Sequence, residues 1–210
     1  MTGTEIIVLN MIQDHLRSAA ADVVMPAITK LGNAGIIWIV MGVTLLATKK
    51  YRRAGILVLM ALVVDLVCCN LILKNLIARP RPFDVNPMVK LLVAAPGDFS
   101  FPSGHTATVF MGAELVRMEY KDSSPLYGIG AYTIACGVAF LRLYNERHWC
   151  NDVLAGAGIG ILSARIGYWL LPFEKKLFGL DKKKSRVNLA ASPYYNHFSK
   201  EYGGMIVVRF

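Results

Sequence analysis

The chain has 210 residues, a formal net charge of +9 and 55% hydrophobic residues, with a mean hydropathy of +0.45. One domain is the default at that length, and a composition this apolar excludes an ordinary soluble domain and points to a membrane protein. The basic residues lie between apolar runs, so the surplus charge is read as setting orientation in the bilayer and attracting anionic headgroups, with no nucleic acid among the expected partners.

Residues 4–17 set Ile6, Ile7, Leu9, Met11, Ile12 and Leu16 among polar groups, the pattern of an amphipathic helix lying in the membrane interface. Residues 19–30 suggest a second short helix that dips into the membrane. The clear apolar spans run from about Leu31 to Thr48, Ala54 to Ile77, Ser103 to Met118, Pro125 to Leu141 and Val153 to Leu171. The fold expected is an all-α integral membrane bundle of five or six transmembrane helices with an N-terminal amphipathic helix. Its parts are an amphipathic segment at 1–30, a transmembrane domain at 31–172 and a basic tail at 173–210.

The links at 49–53 and around Arg117 and Lys121, with the tail residues Lys175, Lys176, Lys182, Lys183, Lys184 and Arg186, fall on one side of this arrangement. The positive-inside rule makes that side cytoplasmic, so segments 74–103 and 142–152 share the external face. Five spans place the N-terminus outside as well; a sixth crossing within 5–30 would place it inside. Asp14, His15, Arg17 and Asp22 break the first apolar stretch, which a cleavable signal core would not tolerate. The cysteines, Cys68, Cys69, Cys136 and Cys150, make no zinc-like spacing and read as buried free thiols. In the fifth span Gly156, Gly160, Ala164 and Gly167 form a small-residue stripe suited to close helix packing.

The external segments carry the chemistry. Lys74 and Arg81 are seven residues apart, and Pro80 and Pro82 hold the chain extended so that Arg81 can fold back toward Lys74. Arginine offers a planar fork for phosphate oxygens and lysine a point charge. Arg79, two residues from Arg81, is expected to face elsewhere and snorkel to headgroups. In Pro102-Ser103-Gly104-His105 the serine is a natural N-cap, the free N–H groups make an anion site, and the glycine permits close approach. His105, restored to its protonated form by a bound phosphate, could give a proton to a leaving alkoxide. His148 and Asp152 are four apart, neighbours on a helix face, where a carboxylate fixes the tautomer and leaves the outer nitrogen free as nucleophile or base. Arg142 precedes His148 by six residues and can reach the same anion.

These residues together resemble the type 2 phosphatidic acid phosphatase superfamily of membrane lipid phosphatases, which is related to the vanadium haloperoxidases. Its three-part pattern is Lys, six residues, Arg-Pro; then Pro-Ser-Gly-His; then Ser-Arg, five residues, His, three residues, Asp. The chain has Lys74…Arg81-Pro82, Pro102-Ser103-Gly104-His105 and Arg142…His148…Asp152, with Leu141 where the pattern has serine. The resemblance implies that His148 attacks phosphorus to form a phosphohistidine. It implies that Asp152 orients His148, and that His105 protonates the leaving oxygen and then activates water. Lys74, Arg81, Ser103, Gly104 and Arg142 are implied to hold the phosphoryl oxygens. Such a reaction needs mainly charge stabilisation and in-line positioning. No carboxylate cluster suited to magnesium appears in these segments, so no metal or other cofactor is expected.

The expected activity is hydrolysis of a lipid phosphate or diphosphate at the external face of the plasma membrane. Undecaprenyl (polyprenyl) diphosphate is the first choice, with phosphatidic acid and phosphatidylglycerophosphate as alternatives. A lipid phosphotransferase would use the same residues, and a lipid transporter or binding protein is the reading outside enzymes. Asp65, Glu114 and Arg165 lie within apolar runs, and Glu114 with Arg165 can form a buried ion pair. Trp38, Trp149 and Trp169 suit interfacial anchoring at least as well as substrate contact.

Overall fold

The computed structural model describes residues 3–31, 34–85, 91, 95–177, 188–196 and 201–209; the basic cluster at Lys182, Lys183, Lys184 and Arg186 lies outside them. The described chain falls into two compact units, Met1–Pro172 and Phe173–Phe210.

Among the described residues, every secondary-structure element of the first unit is a helix. Helix α1 (Gly3–Leu16) buries Glu5, Leu9 and Ile12, which share one face at helical spacing, and leaves Ile7, Met11 and Leu16 exposed. Ser18 then caps α2 (Ala19–Leu31), its hydroxyl accepting the Ala21 N–H at 3.2 Å. The remaining long helices fall at the five apolar spans. They are α3 (Ala34–Ala47), α4 (Arg52–Leu66) with its continuation, α7 (Gly104–Tyr120), α8 (Pro125–Tyr144) and α9 (Cys150–Leu177). A π-helical stretch, Val67–Leu73, carries α4 into α5 (Lys74–Ile77), and a single turn, α6 (Pro82–Val85), follows. Three stretches, beginning at Arg52, Pro125 and Cys150, are long and apolar enough to cross a bilayer, and the apolar part of α3, Gly35–Ala47, is shorter. Large apolar side chains such as Ile36, Leu71, Leu126, Ile134, Leu154 and Leu162 point outward, while Ala61, Ala107, Met111 and Ala164 are enclosed. This is the arrangement of a helical bundle with lipid as its outer solvent.

The glycine stripe of α9 sets how the bundle closes. A Cβ on Gly156 would stand 2.6 Å from the Ser103 carbonyl oxygen, and one on Gly160 only 2.1 Å from that of Ala107. The backbones of α7 and α9 therefore touch, which draws the start of α9 onto the start of α7. Gly167 meets Ala61 of α4 in the same way, with its Cβ position 3.0 Å from the alanine Cβ. On the far side of α7 the Trp38 ring lies on Gly112, where any side chain would overlap it.

Polar groups inside the spans divide into two kinds. Glu114 is fully buried and accepts from Arg165 Nε at 2.9 Å, Arg117 Nε at 2.6 Å and the Tyr132 hydroxyl at 2.8 Å. The carboxylate thus holds α7, α8 and α9 together. Asp65 is buried in α4 with the Cys69 sulfur 3.9 Å away. The thiols differ from the sequence expectation: all four are free, but only Cys69 is buried and Cys136 is exposed on α8.

In the second unit, strands β1 (Asn188–Asn196) and β2 (Glu201–Arg209) pair antiparallel, with Asn188 opposite Arg209 and Asn196 opposite Glu201. These strands lie in the basic tail at 173–210, outside the all-α bundle expected from the sequence.

Candidate active site

Four chain ends meet at one end of the bundle: the C-terminal ends of α5 and α8 and the N-terminal ends of α7 and α9. Two left-handed residues deliver them. Ala78, with φ 46, closes α5 by donating its N–H to the Lys74 carbonyl at 2.9 Å and turns the chain inward at Arg79. Glu146, with φ 50, ends α8. Its N–H bonds to Leu143 O at 2.9 Å and that of Arg147 to Arg142 O at 3.1 Å, the paired bonds of a Schellman turn. Neither position is glycine, so each costs roughly 1–2 kcal/mol of backbone strain. The turn at 78 redirects Arg79–Arg81, and the turn at 146 presents His148.

The ends enclose a cavity of about 760 Å³ lined by Lys74, Arg81, Gly104, His105, Arg142 and His148, with Asp98 and Arg147 at its wall. Six of the eight residues expected at the site therefore share one space. Ser103 and Asp152 are fully buried behind that lining. Ser103 is the N-cap of α7, yet its hydroxyl makes no cap bond and instead accepts from Thr106 Oγ1 at 2.9 Å. Its N–H is taken by the Asp152 carbonyl at 3.0 Å.

Charge dominates the lining. Arg142 is 1% exposed, and among the described residues its Nε and Nη1 find no hydrogen-bond partner. A buried guanidinium left this way costs several kcal/mol unless an anion meets it. Arg81 is better held: Nε donates to Asp98 O at 2.8 Å, Nη2 to Asp98 Oδ1 at 2.6 Å and Nη1 to Arg147 O at 2.6 Å. Lys74 pairs with the other Asp98 oxygen. Burial pushes the Asp98 carboxyl up, but Lys74 and Arg81 outweigh it and hold the group below the usual carboxylate range. Among the described residues no three His, Cys, Asp or Glu side chains gather as metal ligands.

His148 is 3% exposed. Burial pushes its pKa down to about 4; Asp152 opposes that shift and Arg81 adds to it. The ring is therefore neutral near pH 7. Nδ1 lies 2.8 Å from the Ser100 carbonyl oxygen, so that nitrogen carries the hydrogen and donates it. Nε2 is the nitrogen directed toward Arg81, whose Nη1 is 3.4 Å away. The nearer Asp152 oxygen stands 3.8 Å from Nδ1, beyond hydrogen-bond reach. Its contacts are with the frame: Oδ2 accepts from the Trp149 N–H at 2.9 Å and from the Ser100 hydroxyl.

Arg79 departs from the sequence expectation. It does not snorkel outward; Nη1 bonds Asp152 Oδ1 and Nη2 bonds Glu5 Oε2, both at 2.6 Å. It does face away from the cavity that Arg81 lines, but the left-handed turn at Ala78 carries it inward behind that cavity. Trp149 is no interfacial anchor either. It is 2% exposed, its indole donates to the Pro80 carbonyl at 2.9 Å, and the Arg79 guanidinium lies 5.3 Å from the ring centre. Trp169 is exposed, as an anchor would be. Sequence reading also missed Asp98 and Ser100, which lie in an irregular segment where no periodicity marks a facing.

A family model described as the PAP2 superfamily matches residues 53–176. Over 71 residues the chain is 49% identical to a lipid A 1-phosphatase of Porphyromonas gingivalis, a match covering 34% of this chain and 16% of that protein. Over 125 residues it is 34% identical to an undecaprenyl-diphosphatase of Sulfolobus acidocaldarius, covering 59% of this chain and 58% of the other. The chain thus spans less than two thirds of either relative's length. The crystal structure of a transmembrane PAP2-type phosphatidylglycerolphosphate phosphatase from Bacillus subtilis superposes with a TM-score of 0.63 at 25% identity, covering 88% of this chain and 90% of that one.

Proposed function

This chain belongs to the PAP2 superfamily of membrane lipid phosphatases, and from that premise we propose that it hydrolyses the phosphate or diphosphate of a lipid headgroup at the external face of the plasma membrane. The observation that carries the reading is Arg142, a buried guanidinium with two nitrogens unpartnered, in the same cavity as both imidazoles. A phosphoryl group supplies the missing acceptors, and Lys74, Arg81 and the start of α7 at Gly104 add charge and N–H groups around it.

The steps follow from the residues. Neutral His148 directs Nε2 at phosphorus, the P–N bond forms, and the bond to the leaving oxygen breaks. His105 gives its proton to that oxygen. Water, deprotonated by His105, then attacks the phosphohistidine, releasing phosphate and restoring Nε2. The cations stabilise charge on the equatorial oxygens in both steps.

A polyprenyl diphosphate is the preferred substrate. Among the described residues, Lys74, Arg81 and Arg142 share the cavity lining with one carboxylate, Asp98. That surplus suits a diphosphate better than a monoester, and the Sulfolobus relative's name agrees with it. The external placement rests on Lys49, Lys50, Arg52, Arg53 and Lys121, which lie in the links or the first turn of α4 at the other end of the bundle from the cavity. The test is phosphate release by purified protein from polyprenyl diphosphate, phosphatidic acid and phosphatidylglycerophosphate. Fastest release from the diphosphate is expected; no release from any of the three would refute the assignment.

A further inference from the structure

Arg79 is not among the residues that line the cavity, yet it grips two of the groups behind His148. Its carbonyl accepts the Ser100 N–H at 2.8 Å, and Ser100 O in turn accepts the hydrogen on His148 Nδ1 at 2.8 Å. Its guanidinium bonds Asp152 Oδ1 at 2.6 Å, while Asp152 Oδ2 accepts the Ser100 hydroxyl and the Trp149 N–H. The backbone and the side chain of one residue thus fix both ends of the frame that aims the imidazole. The guanidinium is fixed by Trp149 beneath it and by Glu5, a buried residue of α1, at 2.6 Å. Glu5, Arg79 and Asp152 form an alternating chain of charges, two of whose members are buried. Helix α1 is held at the same end of the bundle by a second contact, Gln13 donating to the Tyr144 carbonyl at 3.2 Å.

We propose that Glu5 and Arg79 are positioning residues, and that α1, through this ion pair, helps aim His148 by fixing Asp152 and Ser100. The proposal rests on the phosphatase reading of the site. The N-terminal helix is then a strap across the back of the catalytic frame in addition to an interfacial element.

The two residues pull the electrostatics of Asp152 in opposite directions. Arg79 screens its charge from His148, so removing the guanidinium favours imidazolium and moves the acid limb of activity to higher pH. Glu5 competes for Arg79, so neutralising it leaves more of the cation for Asp152 and moves the limb to lower pH. The other charged groups around His148 are Arg81, His105, Lys74, Arg142, Arg147 and Asp98, and none is altered by either change.

The experiment measures phosphoenzyme formation against pH for the full chain in detergent with one lipid substrate. It compares wild type, Arg79→Gln, Glu5→Gln and His148→Ala. Arg79→Gln is expected to lower the rate at least about tenfold with KM within about twofold, and to raise the limb by about half a pH unit. Glu5→Gln is expected to lower the rate a few-fold and shift the limb downward. Limbs that coincide with wild type, or move in the same direction in both variants, overturn the proposal. Should Arg79→Gln not fold, the direction of the Glu5→Gln shift decides alone. Activity remaining in His148→Ala would instead sink the phosphatase reading on which the proposal stands.

Discussion

The two ends of α7 carry buried charge in opposite states. Near its C-terminal end Glu114 is fully enclosed and receives hydrogen bonds from three side chains, Arg117, Arg165 and Tyr132. Beside its N-terminal end Arg142 is as deeply enclosed, and its Nε and Nη1 have no partner among the described residues. A buried charge with a complete set of partners belongs to the architecture, since each neighbour is already committed. A buried charge with partners missing has been left for something that arrives later. The difference separates structure from function within one helix length, without reference to any other protein.

Substitutions that treat the two ends alike sharpen this contrast. Arg142→Met should have the largest effect on turnover, lowering kcat/KM at least about a hundredfold, in line with loss of one oriented charge at a developing anion. Its melting temperature in detergent should hold or rise, because an unpaired buried cation has been removed. Collapse of the fold with normal turnover per folded molecule would place Arg142 with Glu114 instead. Glu114→Gln should show the reverse. Arg117 and Arg165 lie on the outer surface of the bundle, where long side chains can snorkel toward the membrane interface, so the loss should be only about 1–2 kcal/mol, a fall of a few degrees in Tm. Turnover should not change; a drop of tenfold or more in kcat with Tm intact would make the Glu114 cluster part of the chemistry. Treatment with EDTA should have the smallest effect, none, because the site's positive charge comes from side chains. Activity lost to EDTA and restored by magnesium would break that account.

Much of this was legible in the sequence. Five apolar runs marked the helices, and the stripe of Gly156, Gly160 and Gly167 announced the tight packing that joins α9 to α7 and α4. The pairing of Glu114 with Arg165 followed from matching depths in helices running the same way. Lys74, Arg81, His105, Arg142 and His148 could be gathered because their residue types and spacing suit one anion. The failures share a cause. Arg79 follows a left-handed turn at Ala78 and Trp149 one at Glu146, and each turn breaks the periodicity from which facing is inferred. Asp98 and Ser100 sit in a segment with no repeating conformation, where neighbours in sequence say nothing of direction. The π-helical stretch Val67–Leu73 inserts its extra step without any proline or glycine to mark it. The spacing of His148 and Asp152 suggested a direct hydrogen bond. The first turn of α9 instead leaves 3.8 Å between them and gives the imidazole to Ser100.

The central claim is that His148 carries the phosphoryl group between lipid and water. Rapid mixing of the purified protein with a lipid labelled in its terminal phosphate, followed by an alkaline quench that preserves phosphohistidine, tests it most directly. Wild-type protein should hold label on His148 within the first turnover, and His148→Ala should hold none and release no phosphate while eluting as a folded protein. Label on another residue, or phosphate release by His148→Ala at the wild-type rate, would contradict the claim.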